Sequence, residues 1–371
     1  MQGKALNQDD LRSLFRQLQA DGYRIIGPKV QDDVVTLTEL TDFDELPVGI
    51  LDIQEPGAYR LEETGDKSLF RYRTGPRSPK NALHPPRQHL WTASRKDQDL
   101  QFTPAPAGDS RPIAFFGIKS CDLAAIEKLD QVLGEGPAYV QRSAGRLTIV
   151  AGCSDPGPLC FCGDMGSGPF ADKGYDLILT ETQPGGDPVY LTTAGSAAGR
   201  SLIAGPGREA TPAEVQGESE LKAAAAKKAE GQGAMGKARE IGDRLDHPRW
   251  QEVADRCLSC ANCTMVCPTC FCSTVVDRTD LDGDHSERWL QWDSCFHEDF
   301  SYLHGGAVRR SPASRYRQWL THKLSSWWEQ FDSSGCVGCG RCIAWCPVGI
   351  DLRDEVLALT ASSASASGEE Q

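Results

Sequence analysis

Between residues 9 and 20 the apolar positions Leu11, Leu14, Phe15 and Leu18 fall three to four residues apart behind Asp9 and Asp10, the pattern of an amphipathic helix with an acidic first turn. The pattern then changes to short β-rich runs bounded by Gly, Pro or Asp: VVTLTEL from Val34, FRYR from Phe70, IAFFGI from Ile113, LTIVAG from Leu147, DLILTE from Asp176 and VYLTT from Val189. Between IAFFGI and LTIVAG, DLAAIEKLDQVL repeats its apolar positions at helical spacing, which predicts a strand–helix–strand unit and an α/β domain over residues 1–204. Residues 205–236 shift to Ala, Lys, Glu and Gly, with high helix propensity but little apolar surface, and read as an exposed helical connector. Residues 237–360 are rich in Trp and Cys and read as mostly helical with cysteine-bearing loops. Residues 361–371 have no apolar anchor and are expected to be disordered.

A length of 371 residues accommodates two or three cores. The composition, 39% apolar and 25% charged, is that of a soluble globular chain, and the mean hydropathy is −0.41. No apolar run approaches the roughly 18 residues of a spanning helix, and the N-terminus lacks a basic and an apolar leader region, so a cytoplasmic location is expected. With 52 acidic against 39 basic side chains the formal charge is −13, which argues against nucleic acid as a partner. The one basic stretch, Arg309 to Lys323, reads as a solvated or partner-facing helix surface. Fifteen cysteines in such a chain point to metal or redox chemistry and not to disulfides.

Eight of them fall into two runs of identical spacing. Cys257, Cys260, Cys263 and Cys267 precede Pro268, and Cys336, Cys339, Cys342 and Cys346 precede Pro347, so C-x2-C-x2-C-x3-C-P occurs twice. Two-residue gaps let three thiolates converge on one face of a cubane, while the fourth reaches the neighbouring cluster. The first [4Fe–4S] cluster is thus expected on Cys257, Cys260, Cys263 and Cys346, the second on Cys336, Cys339, Cys342 and Cys267. Zinc sites also use C-x2-C pairs but need only two of them, not two runs of four ending in Pro. The fold class expected is α+β: the N-terminal α/β domain, then an α-helical ferredoxin-like domain for two clusters. Between Cys267 and Cys336 lie 68 residues, a long insert whose Trp319, Trp327 and Trp328 are expected to pack around the clusters or face a partner subunit.

Seven cysteines remain. Cys121 and Cys153 directly follow predicted strands, where open α/β sheets place their ligands, and with Cys160 and Cys162 they suffice for a third [4Fe–4S] cluster. The alternative is that these four are small buried hydrophobes. The glycines after Cys162 favour a cofactor, since they let backbone amides approach closely. Cys270, Cys272 and Cys295 stay unassigned between ligation, with help from Asp293, His297 or another cysteine, and burial beside Cys267.

The segments CLSCANCTMVCPTCFCSTVVDRTDL, WDSCF, SRYRQWLTHKL and GCVGCGRCIAWCPVGID, together with FFGIKSCDLAAIEKLD and CFCGDMGSGP, closely resemble an iron–sulfur subunit found in two kinds of complex. In soluble NAD(P)-linked [NiFe] sulfhydrogenases it is the β subunit; the other kind of complex is the anaerobic sulfite reductase, which has an iron–sulfur subunit of the same type. The resemblance runs from about Pro56 to Asp351 and is least marked in the connector. It implies a non-catalytic, cytoplasmic electron-transfer subunit carrying several [4Fe–4S] clusters. Its partners would be a flavin-containing, NAD(P)H-oxidising subunit and a catalytic subunit bearing nickel–iron or sirohaem. A redox-sensing or scaffold protein with structural clusters is the alternative of another class.

Overall fold

The computed structural model describes residues 3–361 apart from 98, 107, 184, 185, 231 and 232, so the expected disorder of residues 362–371 falls outside the described residues. The architecture is mixed α/β. Its strands in chain order begin with β1 (Lys4–Leu6), β2 (Arg24–Gln31), β3 (Val34–Leu40), β4 (Ile50–Glu55), β5 (Ala58–Glu63), β6 (Arg87–Lys96) and β7 (Asp99–Pro104). They continue with β8 (Ile113–Ile118), β9 (Leu147–Ala151), β10 (Leu177–Thr182), β11 (Val189–Ala194), β12 (Arg208–Glu209), β13 (Ser273–Thr279) and β14 (His285–Trp292).

Eight of these form one sheet in the order β12-β1-β11-β10-β9-β8-β2-β3. Its centre, β2-β8-β9-β10, is parallel, and the flanking pairs are antiparallel. β8 and β9 are buried at every position, as a parallel strand covered on both faces must be. The helix Gln8–Ala20 covers one face with Leu11, Leu14, Phe15 and Leu18, each burial stabilising by about 1.5–3 kcal/mol, and its first turn is closed by a reciprocal Asn7–Asp10 capping box. The helix Ser120–Leu133 covers the other with Leu123, Ile126 and Leu129. With both faces covered, the carboxyl ends of β8 and β9 are where an open α/β sheet leaves room for a site.

Two readings of the sequence differ from what is found. FRYR makes no ladder: the amides of Leu69 and Phe70 donate to the buried Glu181 carboxylate at 2.6 and 2.9 Å, which replaces strand partners. Nor are residues 237–360 mostly helical, because the insert between the cysteine runs carries strands. Its β13–β14 hairpin pairs with β6 and β7 in a second, four-stranded antiparallel sheet, so strands from residues 87–104 and 273–292 share one ladder. The connector does contain a helix, Pro212–Lys228, begun by a Thr211–Glu214 capping box.

A second core gathers Trp250, Val253, Phe296, Tyr316, Trp319, Leu320, Leu352 and Val356 around the cysteine runs. Glu355, 1% exposed, accepts from Arg249 at 2.7 Å and from Arg256, locking the helix Leu352–Thr360 to the helix Arg249–Arg256 that delivers Cys257. Two guanidinium partners are what permit a carboxylate at such depth.

Candidate iron–sulfur centres

Each cysteine run is built on the same backbone. The helix Arg249–Arg256 stops at Cys257; Ser259 (φ 51°) and Ala261 (φ 64°) then take left-handed conformations before the short helix Asn262–Met265 carries Cys263. In the second run Gly338 (φ 61°) and Gly340 (φ 74°) occupy the corresponding places before the helix Arg341–Ala344 carries Cys342. The left-handed residue turns its amide back on the preceding thiol: Ser259 N donates to Cys257 Sγ at 3.4 Å and Gly338 N to Cys336 Sγ at 3.3 Å. Ile350 N donates to Cys346 Sγ at 3.3 Å. Amide N–H groups aimed at sulfur are the hydrogen bonds that iron–sulfur ligation uses to set its potential.

The chain crosses over between the runs. Cys257, Cys260, Cys263 and Cys346 line one cavity of about 460 Å³, counting its open mouth, with Cys342 of the second run also on its wall beside Phe296, Tyr316, Trp319 and Ile350. Cys260 is exposed and Leu258, at the rim, is 63% exposed. Cys267 instead faces Cys336, Cys339 and Cys342, each of which feels its charge. Cys267, Cys336 and Cys339 are buried, so the second set lies deeper than the first.

The N-terminal cysteines come to the same place. Cys121 opens the helix after β8, Cys153 follows β9, and the loop Leu159–Cys162 lies on the second run, with Phe161 N donating to Gly338 O at 2.9 Å. Cys121 and Cys162 pack directly against Cys339 and Val337, and Cys160 senses Cys153 and Cys339. A Cβ on Gly338 would stand 2.5 Å from Phe161 O, and one on Gly340 2.7 Å from Leu159 O, so glycine serves here both for its backbone and for the close approach. Thr74 Oγ1 donates to Cys339 O at 3.1 Å and Ser167 Oγ to Val337 O at 2.6 Å, adding two more ties between the halves.

Burial holds these thiols neutral. It pushes Cys336 up to about 11 and Cys160 to about 12, and raises Cys121, Cys153, Cys162, Cys263, Cys339 and Cys342 as well. Such thiols are inert unless a metal takes up their charge, because a coordinated thiol is deprotonated outright. Deep cysteines, inward amides and a cavity lined by Cys257, Cys260, Cys263, Cys342 and Cys346 fit cubane clusters. Cys270 and Cys272 follow on from Cys267. Cys270 lies against the Cys267 thiol, and Cys272 pairs with Cys295, which lowers Cys272 to about 7.

Nothing in the sequence pointed to the buried cations. Lys80, Lys119, Lys323 and Arg341 are between 1% and 6% exposed. Arg341 Nη2 meets Asp122 Oδ1 at 2.7 Å and Lys119 Nζ donates to Phe70 O at 2.6 Å, beside Cys339 and Cys153 respectively. The stretch Arg309 to Lys323 is correspondingly not a solvated basic face: Arg315 is buried on the carbonyls of Arg309 and Arg310, and Lys323 turns to Cys267. Of the insert's tryptophans, Trp319 walls the cavity, Trp327 is buried against Phe271 and Phe331, and Trp328 lies half-buried under Arg239.

These centres are those of an iron–sulfur electron-transfer protein, and the 4Fe-4S dicluster domain family matches residues 256–350. Over 322 residues the chain is 29% identical to sulfhydrogenase 2 subunit beta of Pyrococcus furiosus, covering 82% of this chain and 90% of that protein. The resemblance to sulfhydrogenase β subunits read from the motifs is thereby shown. No solved structure matches. Among the described residues no helix is long and apolar enough to cross a membrane.

Proposed function

We propose that this chain is the electron-relay subunit of a cytoplasmic, NAD(P)-linked [NiFe] hydrogenase of the sulfhydrogenase kind. It passes electrons between a flavin-bearing, NAD(P)H-oxidising subunit and the catalytic subunit, and is not catalytic alone. Cys257, Cys260, Cys263 and Cys346 hold the first [4Fe–4S] cluster and Cys336, Cys339, Cys342 and Cys267 the second. Cys121, Cys153, Cys160 and Cys162 hold a third. The clusters, when bound, supply one-electron carriers of low potential.

The observation that carries this reading is the unbroken succession of thiols. The exposed cavity of the first set adjoins the second through Cys263 and Cys342, and Cys339 of the second packs on Cys121 and Cys162. The chain's own residues give that succession its two kinds of surroundings, apolar walls at the exposed end and buried cations inside. With every ligand a cysteine, no exchangeable iron position is left for substrate. Isolated, anaerobically purified chain is therefore expected to be bleached by dithionite yet to show no NAD(P)H oxidation and no hydrogen evolution. Both should return when the flavoprotein and nickel–iron subunits are added. Turnover by the isolated chain refutes the relay, and restoration by a sirohaem subunit instead moves the assignment to sulfite reduction.

A further inference from the structure

Lys323 is the buried cation whose ammonium hydrogen-bonds directly to a cysteine thiol. It is 6% exposed and sits in the π-helical turn His322–Ser326, an irregularity that swings its side chain inward from the end of the helix Pro312–Thr321. Its Nζ donates to Cys267 Sγ at 3.2 Å, Thr269 Oγ1 at 2.9 Å and Gly335 O at 3.2 Å. A lysine ammonium has three N–H donors, and here all three are used. None of the acceptors is a carboxylate, and the groups whose charge acts most on Lys323 are sulfurs, those of Cys267, Cys270 and Cys336. Thr269 Oγ1 in turn donates to Gly335 O at 2.7 Å, which keeps the ammonium against Cys267.

A second buried lysine stands behind it. Lys80, 2% exposed, donates to the carbonyls of Met265 and Cys270 at 3.3 and 3.1 Å and lies 3.7 Å over the Trp292 ring, again with no carboxylate among the described residues as its acceptor. At the first set the side chains that act most on Cys257 and Cys263 are other cysteines and Ser259, and the walls of their cavity are largely apolar. Arg341, the other cation at the second set, is already neutralised by Asp122.

Reducing a cubane adds one electron and one negative charge, with no bond made or broken. A cation held in a dry site beside a ligand sulfur favours the more negative state, and it does so more strongly than a charge in water would. We infer that Lys323 is a positioning residue that sets the reduction potential of the second cluster, raising it so that this cluster is where an arriving electron comes to rest. Lys80 acts in the same sense from further away. The inference rests on the ligand assignment proposed above and goes beyond it in assigning the asymmetry between the two clusters to named side chains.

The test is a redox titration of full-length, anaerobically reconstituted protein followed by electron paramagnetic resonance. The second cluster's signal is identified as the one lost in Cys336→Ser. Lys323→Gln is one atom shorter but keeps an N–H donor and removes the charge; the second cluster's midpoint is expected to move negative while the first stays in place. Lys323→Arg is expected to hold the second midpoint near that of the unaltered chain. An unmoved second midpoint in Lys323→Gln, or an equal shift of both clusters, overturns the inference. Should Lys323→Gln purify without its second cluster, Lys80→Gln decides, with a smaller negative shift expected and no shift overturning it. Fewer than about eight irons in the unaltered chain would instead break the ligand assignment.

Discussion

The two cysteine runs share one spacing and one backbone, yet they face opposite surroundings. The first closes around a cavity whose rim, Cys260 and Leu258, is open to solvent, and its left-handed positions are held by Ser259 and Ala261. The second lies under the N-terminal domain, with glycine at both equivalent positions because the carbonyls of Phe161 and Leu159 press against them. The difference teaches that a repeated motif fixes how thiols converge, while the neighbours decide access and charge. An exposed centre can exchange electrons with a partner; a buried one ringed by cations can hold them.

The largest effect should come from the thiol that crosses between the runs. Cys346→Ser is expected to cost the first cluster and spare the second, lowering iron by about four per chain with the second cluster's resonance retained. Preferential loss of the second cluster would show that the runs do not cross. Of similar size, Cys162→Ser in the full chain should remove about four irons while both ferredoxin-type signals survive. Unchanged iron would leave the N-terminal cysteines as packing alone.

Backbone substitutions sharpen the contrast at smaller magnitude. Gly338→Ala meets both a positive φ and the Phe161 carbonyl, and is expected to lower unfolding stability by about 2–4 kcal/mol. Ser259→Gly relieves the same conformation in the open run, and should change stability by less than about 1 kcal/mol because glycine's extra unfolded-state entropy offsets the relief. Equal effects at the two sites, in denaturant titrations of the loaded protein, would mean that the neighbours do not differ as described.

A pH effect of similar or lesser size belongs to the buried side. His84 is 5% exposed and stacks on Trp292 at 6.1 Å, joining the N-terminal domain to the hairpin that leads to Cys295. Burial, with Lys80 and Arg142 nearby, lowers its pKa to about 4. The folded chain thus favours the neutral ring. Its contribution is present in full above the unfolded value near 6.5 and is lost as pH falls toward 4, by at most about 2 kcal/mol once residual solvation is allowed for. His84→Phe should flatten the stability profile between those values, whereas an unchanged slope would assign the acid sensitivity elsewhere.

Much of the fold was legible where local pattern and burial agree. β8 to β11 are continuous apolar or β-branched runs, and the helices at residues 8–20 and 120–133 keep a helical period. β2 was hidden by Gly27 and Pro28. The proline is tolerated because β2 pairs with β8 only through Ile26, and beyond that point with β3 alone, leaving the missing N–H nothing to bond. The hairpin β13–β14 was obscured by the cysteine-rich context, although VVDRTD and ERWLQW bracket an Asp/Gly turn; its partner β6 lies far away in sequence.

What the sequence by itself determined is the chemistry of short range: eight thiols at cubane spacing, two more directly after strands and two in the Gly-rich loop beyond them, and the periodicities of the elements that carry them. Only the tertiary structure decided which thiols surround one space and which cations lie against them. Lys80, Lys323 and Arg341 have the composition of ordinary surface residues, and nothing adjacent in sequence distinguishes them. They are buried because packing of distant segments closes over them, and a charge enclosed in that way needs partners: Asp122 for Arg341, backbone carbonyls for Lys80, and the Cys267 thiol with Thr269 and Gly335 for Lys323.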